Sequence, residues 1–402
     1  MQASGYVFSV LPVAVATACA VWPVRGALRR FGTATYVAGI APSQLPVPVA
    51  CYLLASTALC LAQGELWSAS GLVGLALTLC ALAGLGTLVA RALPTRRVLE
   101  RALVAYGLAA DRPGGPDPLS VSALRRTRPL ASALLVPFLR RRRDVQRVAD
   151  LAYGGAGRFQ RLDLYRHRSR RDDAPVFVYF HGGHFHSGSK NREALPLLYR
   201  LAANGWIVIS ANYRLAPAAS FPDAHVDAKL VLAWVGEHVA AFGGDPRTIV
   251  IAGDSAGAHL AAFAGLTANE PTYQPGFEQA DTTVTAVVGL GGYYGPLDAA
   301  RPETSPLAHA RDDAPPFLLL HGDHDSVVPV QRAREFATAL RATSHAPVEL
   351  VELPGAQHAF DHFQTLRSAP VATAIQAFTA WTRRQHQGRA TTTSRRPLAP
   401  AN

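Results

Sequence analysis

Cysteine is scarce in this 402-residue chain, and its four copies, Cys19, Cys51, Cys60 and Cys80, all fall in the first quarter. The rest of the chain therefore has no disulfide framework and no cysteine-based zinc site. Charge is missing from two long stretches, residues 6–24 and 70–90. Each is long enough to cross a hydrocarbon core of roughly 30 Å. A third uncharged run, residues 45–62, is shorter and carries Pro46 and Pro48, so a re-entrant or interfacial segment is an alternative there. A cleaved signal peptide fits poorly. An Ala18-x-Ala20 site exists, but the first residues lack positive charge and two more apolar runs follow.

A basic excess is also absent from most of the chain. The formal net charge is +11, yet residues 148–388 carry 20 basic and 23 acidic groups. The surplus sits upstream, where residues 91–147 hold 13 arginines against Glu100, Asp111, Asp117 and Asp144. A nucleic-acid partner is excluded on this ground, because its footprint would fall on the folded domain. Arg25, Arg29 and Arg30 follow the first apolar run, and Arg91, Arg96, Arg97 and Arg101 follow the third. The connection "QGELWS" holds only Glu65. Three crossings put both arginine groups on one side, which the positive-inside rule makes cytoplasmic. The expectation is a multi-pass protein of the cell (inner) membrane with its remaining chain in the cytoplasm.

Four regions follow. Residues 1–92 read as a membrane region with about three transmembrane helices, and residues 93–150 as a basic juxtamembrane linker or cap. Within the latter, "LASALLVPFL" lies between "RRTR" and "RRRR". It is expected at an anionic lipid surface, as a cap helix on the next domain, or both. Residues 151–385 alternate short β-branched runs ("VFVYF", "WIVISANY", "TIVIAG", "VTAVVGL", "PFLLLHG", "VELVELPG") with helical stretches. That alternation predicts βαβ units, a mostly parallel sheet and an α/β fold. Residues 386–402 are polar and read as a disordered tail.

The stretch "IVIAGDSAGAHLAAF" carries the chemistry. Gly253-x-Ser255-x-Gly257 stands where a strand ends and a helix begins, the nucleophile-elbow pattern. A serine needs a base, and the pattern requires an acid and then a histidine downstream. Asp325 follows "PFLLLHG" and His358 follows "VELVELPG". Asp323 competes as the acid, while His321 and His324 read as loop residues. Acyl transfer also needs donors aimed at an oxyanion. One is the N–H of Ala256, next to the serine, and another comes from "HGGH" after "VFVYF", with Gly182, Gly183 and His184 as its candidates. His181, His184 and His186 also read as H-x-x-H-x-H, so a metal site shared with "HGDHD" is the alternative.

"HGGHFHSGSK", "NYRLAPAASFPDAHVDA", "FGGDPRTIVIAGDSAGAHLAA", "HGDHDSVVP" and "GAQHAFD" occur in that order over about residues 155–385. In this set the chain resembles the hormone-sensitive-lipase-like branch of the α/β-hydrolases, most of all membrane-tethered esterases of actinobacteria. The resemblance implies Ser255 as nucleophile, His358 as base, Asp325 as its orienter, and Gly183, His184 and Ala256 as oxyanion donors. It implies no cofactor and an ester or lipid-like substrate. The family pattern has a third glycine where this chain has His184. If that position needs a positive φ, the substitution costs roughly 1 kcal/mol or more. His184 and His186 are then expected at the pocket mouth. The reading is a membrane-anchored serine carboxylester hydrolase. Its alternatives are a metal-dependent hydrolase using the histidine-rich loops and a non-catalytic scaffold on a hydrolase fold.

Overall fold

Alternating apolar side chains build a central sheet that is buried on both faces. The computed structural model describes residues 3–24, 29–105, 141–169, 172–358, 360 and 362–394. Its eight strands are β1 (Val145–Ala152), β2 (Arg161–His167), β3 (Ala174–Phe180), β4 (Ile207–Ala211), β5 (Gly244–Asp254), β6 (Ala286–Leu290), β7 (Phe317–Gly322) and β8 (Val348–Leu353). They lie in the order β1-β2-β4-β3-β5-β6-β7-β8. The first two pairings are antiparallel and the rest parallel. Six strands coincide with the six runs read in the sequence. The two antiparallel strands β1 and β2 were not anticipated, because "VQRVADLA" and "RLDLYRH" carry charge between their apolar positions and so show no continuous apolar run.

The strand period of two divides the core. Val176, Val178 and Phe180 of β3 face one cluster, and Phe177 and Tyr179 face the other. The first cluster is closed by α7 (Asp223–His238), α8 (Ala256–Leu266) and α9 (Val330–Thr343). The second is closed by α5 (Thr95–Ala105), α6 (Leu195–Ala203) and α10 (Ser368–Ser394). Two boundaries move as a result. Strand β1 starts at Val145, inside the stretch read as linker, and Leu99 and Leu103 of α5 are buried in the second cluster. Helix α10 also continues to Ser394, into the stretch read as a disordered tail. "LASALLVPFL" lies outside the described residues.

The first apolar runs form α1 (Ala3–Val21), α3 (Pro46–Ala62) and α4 (Ala69–Ala92). Between them stands a helix not anticipated, α2 (Arg29–Gln44). These helices have a core of their own around Tyr6, Leu53, Cys60 and Leu85. The Tyr6 hydroxyl is shared between Thr57 and Thr78, at 2.8 and 2.9 Å, so this buried polar group is satisfied. Among the described residues, one helical run, Ala69–Ala105, is long and apolar enough to cross a membrane. The pair α2 and α3 bends by 84° and would make a second if it is one broken span, while α1 is shorter.

Candidate active site

The elbow is a backbone event before it is a chemical one. Ser255 sits between β5 and α8 with φ 54° and ψ −113°, a conformation that costs of order 1–3 kcal/mol for a residue with a Cβ. Neighbouring packing holds it there. A Cβ on Gly253 would overlap the Gly257 carbonyl, and one on Gly257 would overlap the Phe180 carbonyl. The Ser255 N–H donates to Leu290 O of β6 at 2.9 Å, which ties the turn to the next strand. Ala256 is the first residue of α8, so its N–H has no intrahelical acceptor.

Asp325 and His358 come from the loops after β7 and β8, and both are buried. His358 Nδ1 lies 2.7 Å from Asp325 Oδ2. The other carboxylate oxygen, Oδ1, accepts from the N–H groups of Val327 and Val328 at 2.9 and 2.8 Å. Burial works against this carboxylate. The charge of His358 and hydrogen bonds from His321 and His358 outweigh it, so the Asp325 carboxyl is held well below its usual range. Asp323 is elsewhere: its Oδ1 takes the Gly355 N–H at 2.7 Å and faces His324. His358 also lies against Gly291, just past β6; a Cβ there would stand 3.4 Å from Nδ1.

Three partners of this pair were not read in the sequence. His321 is a buried strand residue, not a loop residue, with Nε2 2.8 Å from Val328 O and 3.3 Å from Asp325 Oδ2. Gln357 Oε1 accepts from the N–H groups of Ser326 and His358, both at 2.9 Å, and so joins the two loops. Its place directly before His358 was the one available signal. The third is Tyr36 of α2, whose ring stands edge-on to the His358 imidazole with centroids 5.7 Å apart. A cap was expected from residues 93–150 or the membrane surface; residues 106–140 lie outside the described residues, and this contact comes from the N-terminal helices.

The "HGGH" loop follows β3 as read. The Gly182 N–H, expected to face an oxyanion, instead donates to the buried Glu193 carboxylate at 2.7 Å. Gly183, His184 and Phe185 all have positive φ, 112°, 55° and 63°. The position held by His184 is therefore one where glycine is the unstrained choice. The loop is anchored below by Lys190, whose Nζ meets Asp163 Oδ1 of β2 at 2.7 Å. The three histidines do not converge. His181 is buried and stacks on Tyr213 at 4.4 Å, and burial lowers its pKa. His184 and His186 border a cleft of about 220 Å³ with Phe185, Arg214, Phe221 and His225. Among the described residues, no three His, Cys, Asp or Glu side chains gather as a metal ion would require.

Strand order, elbow and loop placement define an α/β-hydrolase, and the comparisons agree. The BD-FAE family model matches residues 162–302, and that of the dienelactone hydrolase family matches residues 277–385. The probable carboxylic ester hydrolase LipM of Mycobacterium tuberculosis is 40% identical over 306 residues, covering 68% of this chain and 71% of that protein. Esterase LipC of the same organism is 40% identical over 293 residues, covering 65% and 71%. Among solved structures, the butyrate-bound esterase Est2 of Thermogutta terrifontis is 26% identical with a TM-score of 0.52, covering 63% of this chain and 96% of that one. The chain belongs to the hormone-sensitive-lipase-like esterase branch of the α/β-hydrolases. It is a carboxylesterase-type hydrolase.

Proposed function

We propose that the protein is a membrane-anchored serine carboxylester hydrolase in which Ser255, His358 and Asp325 act as nucleophile, base and orienting acid. The observation that carries this reading is the 2.7 Å contact between His358 Nδ1 and Asp325 Oδ2. With Nδ1–H given to the carboxylate, Nε2 is the basic nitrogen. Ser255 Oγ attacks the ester carbonyl carbon and its proton passes to Nε2. The oxyanion is met by the N–H groups of Gly183, His184 and Ala256, the last at a helix N-terminus. Collapse of this intermediate expels the alcohol, which takes the proton from His358. Water then attacks the acyl-enzyme and gives its proton to the same nitrogen. The acid leaves and the proton returns to Ser255.

The anchoring is supported by where apolar surface is exposed. Of the large hydrophobic side chains exposed among the described residues, all but Leu297 belong to residues 8–104, with Phe8, Trp22 and Trp67 more than 70% exposed. A soluble surface rarely concentrates them so. In this proposal α1, α3 and α4 cross the bilayer. Helix α2, bent 84° from α3, lies along the cytoplasmic interface, and the hydrolase domain hangs beneath it. Residues 1–92 form the membrane region, and the arginines of residues 125–143 meet anionic headgroups.

Ser255→Ala is expected to abolish ester hydrolysis and fluorophosphonate labelling while the protein still folds. Mass spectrometry of the labelled wild-type protein is the check. A probe attached to any other residue removes Ser255 as the nucleophile.

A further inference from the structure

The reaction does not require α2, yet α2 touches both loops that carry its machinery. Gly32 O accepts from the hydroxyl of Ser326, the residue after Asp325, at 2.9 Å. The approach is so close that a Cβ on Gly32 would overlap the Ser326 carbonyl oxygen. Tyr36, four residues on and so on the same helix face, packs edge-on against His358. Gln44, buried at the end of α2, accepts from the Phe363 N–H at 3.3 Å, just beyond the histidine loop. Beside this docked face, Phe31 and Val37 are 48% and 61% exposed. One helix thus has a side on the catalytic loops and apolar side chains turned outward. Ser255 and His358 themselves are only 4% and 6% exposed. Substrate must therefore pass an element that packs over them, and on the histidine side that element is α2.

We propose that α2 forms the substrate's wall: a long-chain ester dissolved in the bilayer reaches Ser255 along this helix, and Tyr36 sets the preference for it over short water-soluble esters. The proposal rests on the anchoring and the nucleophile proposed above. An interfacial α2 lies at the depth where an ester group sits between headgroup and acyl chain, so the chain need never enter water. Each CH₂ transferred into water adds an unfavourable contribution, which makes the bilayer path the favourable one for a long acyl chain. The Tyr36 ring then closes the site against bulk water and gives the chain an apolar flank.

The test uses the full-length protein in vesicles of phosphatidylcholine and phosphatidylglycerol, with p-nitrophenyl palmitate and p-nitrophenyl acetate as substrates. Tyr36→Ala is expected to lower the palmitate-to-acetate ratio of kcat/KM about tenfold, the order of one lost aromatic contact. Tyr36→Phe keeps the ring and is expected to hold the wild-type ratio. Gly32→Ala lifts α2 off the Asp325 loop without touching Tyr36 and is expected to shift the ratio in the same direction. Val37→Ala, on the outward side, is expected to leave it alone. An unchanged ratio in Tyr36→Ala and Gly32→Ala, or an equal loss on both substrates, overturns the proposal if fluorophosphonate still labels Ser255. So does a Phe variant that behaves like the Ala variant, or a Val37 variant that shifts the ratio as much. Failure of the wild-type protein to be labelled at Ser255 instead removes the reading beneath it.

Discussion

Two aspartates two positions apart differ in everything but residue type. Asp325 is buried, holds His358 and receives two backbone N–H groups, whereas Asp323 is half-buried and receives Gly355 N–H and His324. Replacing Asp325 by Asn offers an NH₂ or a neutral carbonyl where a charged acceptor stood, and the imidazole can then settle in the wrong tautomer. Asp325→Asn is expected to lower kcat/KM by about 10³-fold or more. Asp323→Asn loses one loop contact and is expected to stay within about tenfold. Steady-state kinetics of the two variants on one soluble ester decide the ranking, and the reverse order would reassign the acid. The positive φ of His184 is the same kind of local fact. The chain accepts strain there, and the side chain it gains borders the cleft beside the loop after β3.

Helices α7 and α8 pack against each other through histidines that no step of the reaction uses. His259 stands one turn after Ser255, and burial pushes it down to about 4. His225 of α7, with ring centroid 5.4 Å from that of His259, is pushed well below its ordinary value, first by burial and then by its histidine neighbours. Neither nitrogen of His225 has a hydrogen-bond partner among the described residues. Both groups are depressed on folding, so the unfolded chain binds protons that the folded chain refuses. Stability is fully present above about pH 6.5, the ordinary histidine value, and falls as the pH drops toward 4. Each tenfold loss of proton affinity on folding corresponds to about 1.4 kcal/mol. The unfolding temperature is expected to fall between pH 7 and pH 5, and less steeply in His225→Phe, which removes one of the two groups. An identical slope in that variant would show that the loss arises elsewhere. The position of α2 is a fact at this scale as well. Its sequence, with Arg29 and Arg30 at one end and Thr, Ser and Gln along it, lacks the uncharged apolar length by which its neighbours stood out.

The molecule as a whole has two cores of different kinds. The sheet domain buries its apolar side chains on both faces, and the N-terminal helices bury a small set and expose many. Only the second arrangement suits a bilayer, where lipid covers what water would not. Arginines after the first and third apolar runs set the expected orientation, with the hydrolase domain in the cytoplasm. Cys19, Cys51, Cys60 and Cys80 are all free, so they are first replaced by Ser. Ala401→Cys in that background is expected to react with an impermeant maleimide only after cells are lysed. Labelling of intact cells would invert the topology.

The α/β class, six of the eight strands, the elbow and the chain order of Ser255, Asp325 and His358 were all legible in the sequence. They are encoded locally, by strand periodicity, by the space a tight turn allows, and by loops that follow their strands. Strands β1 and β2 were hidden because charge lies between their apolar positions and no continuous apolar run marks them. The Gly182 N–H was assigned to an oxyanion because the sequence does not say which carboxylate will reach it, and Glu193 does. His321 read as a loop residue because its place under Asp325 depends on how the chain turns back after β7. The α2 contacts lie furthest from sequence reading. Ser326 and Gly32 are 294 positions apart, and Phe363 and Gln44 are 319 apart. Local propensity carries no information over such separations. Which surfaces meet is decided when two finished units pack, and here that packing set a tyrosine of the first against the histidine of the second.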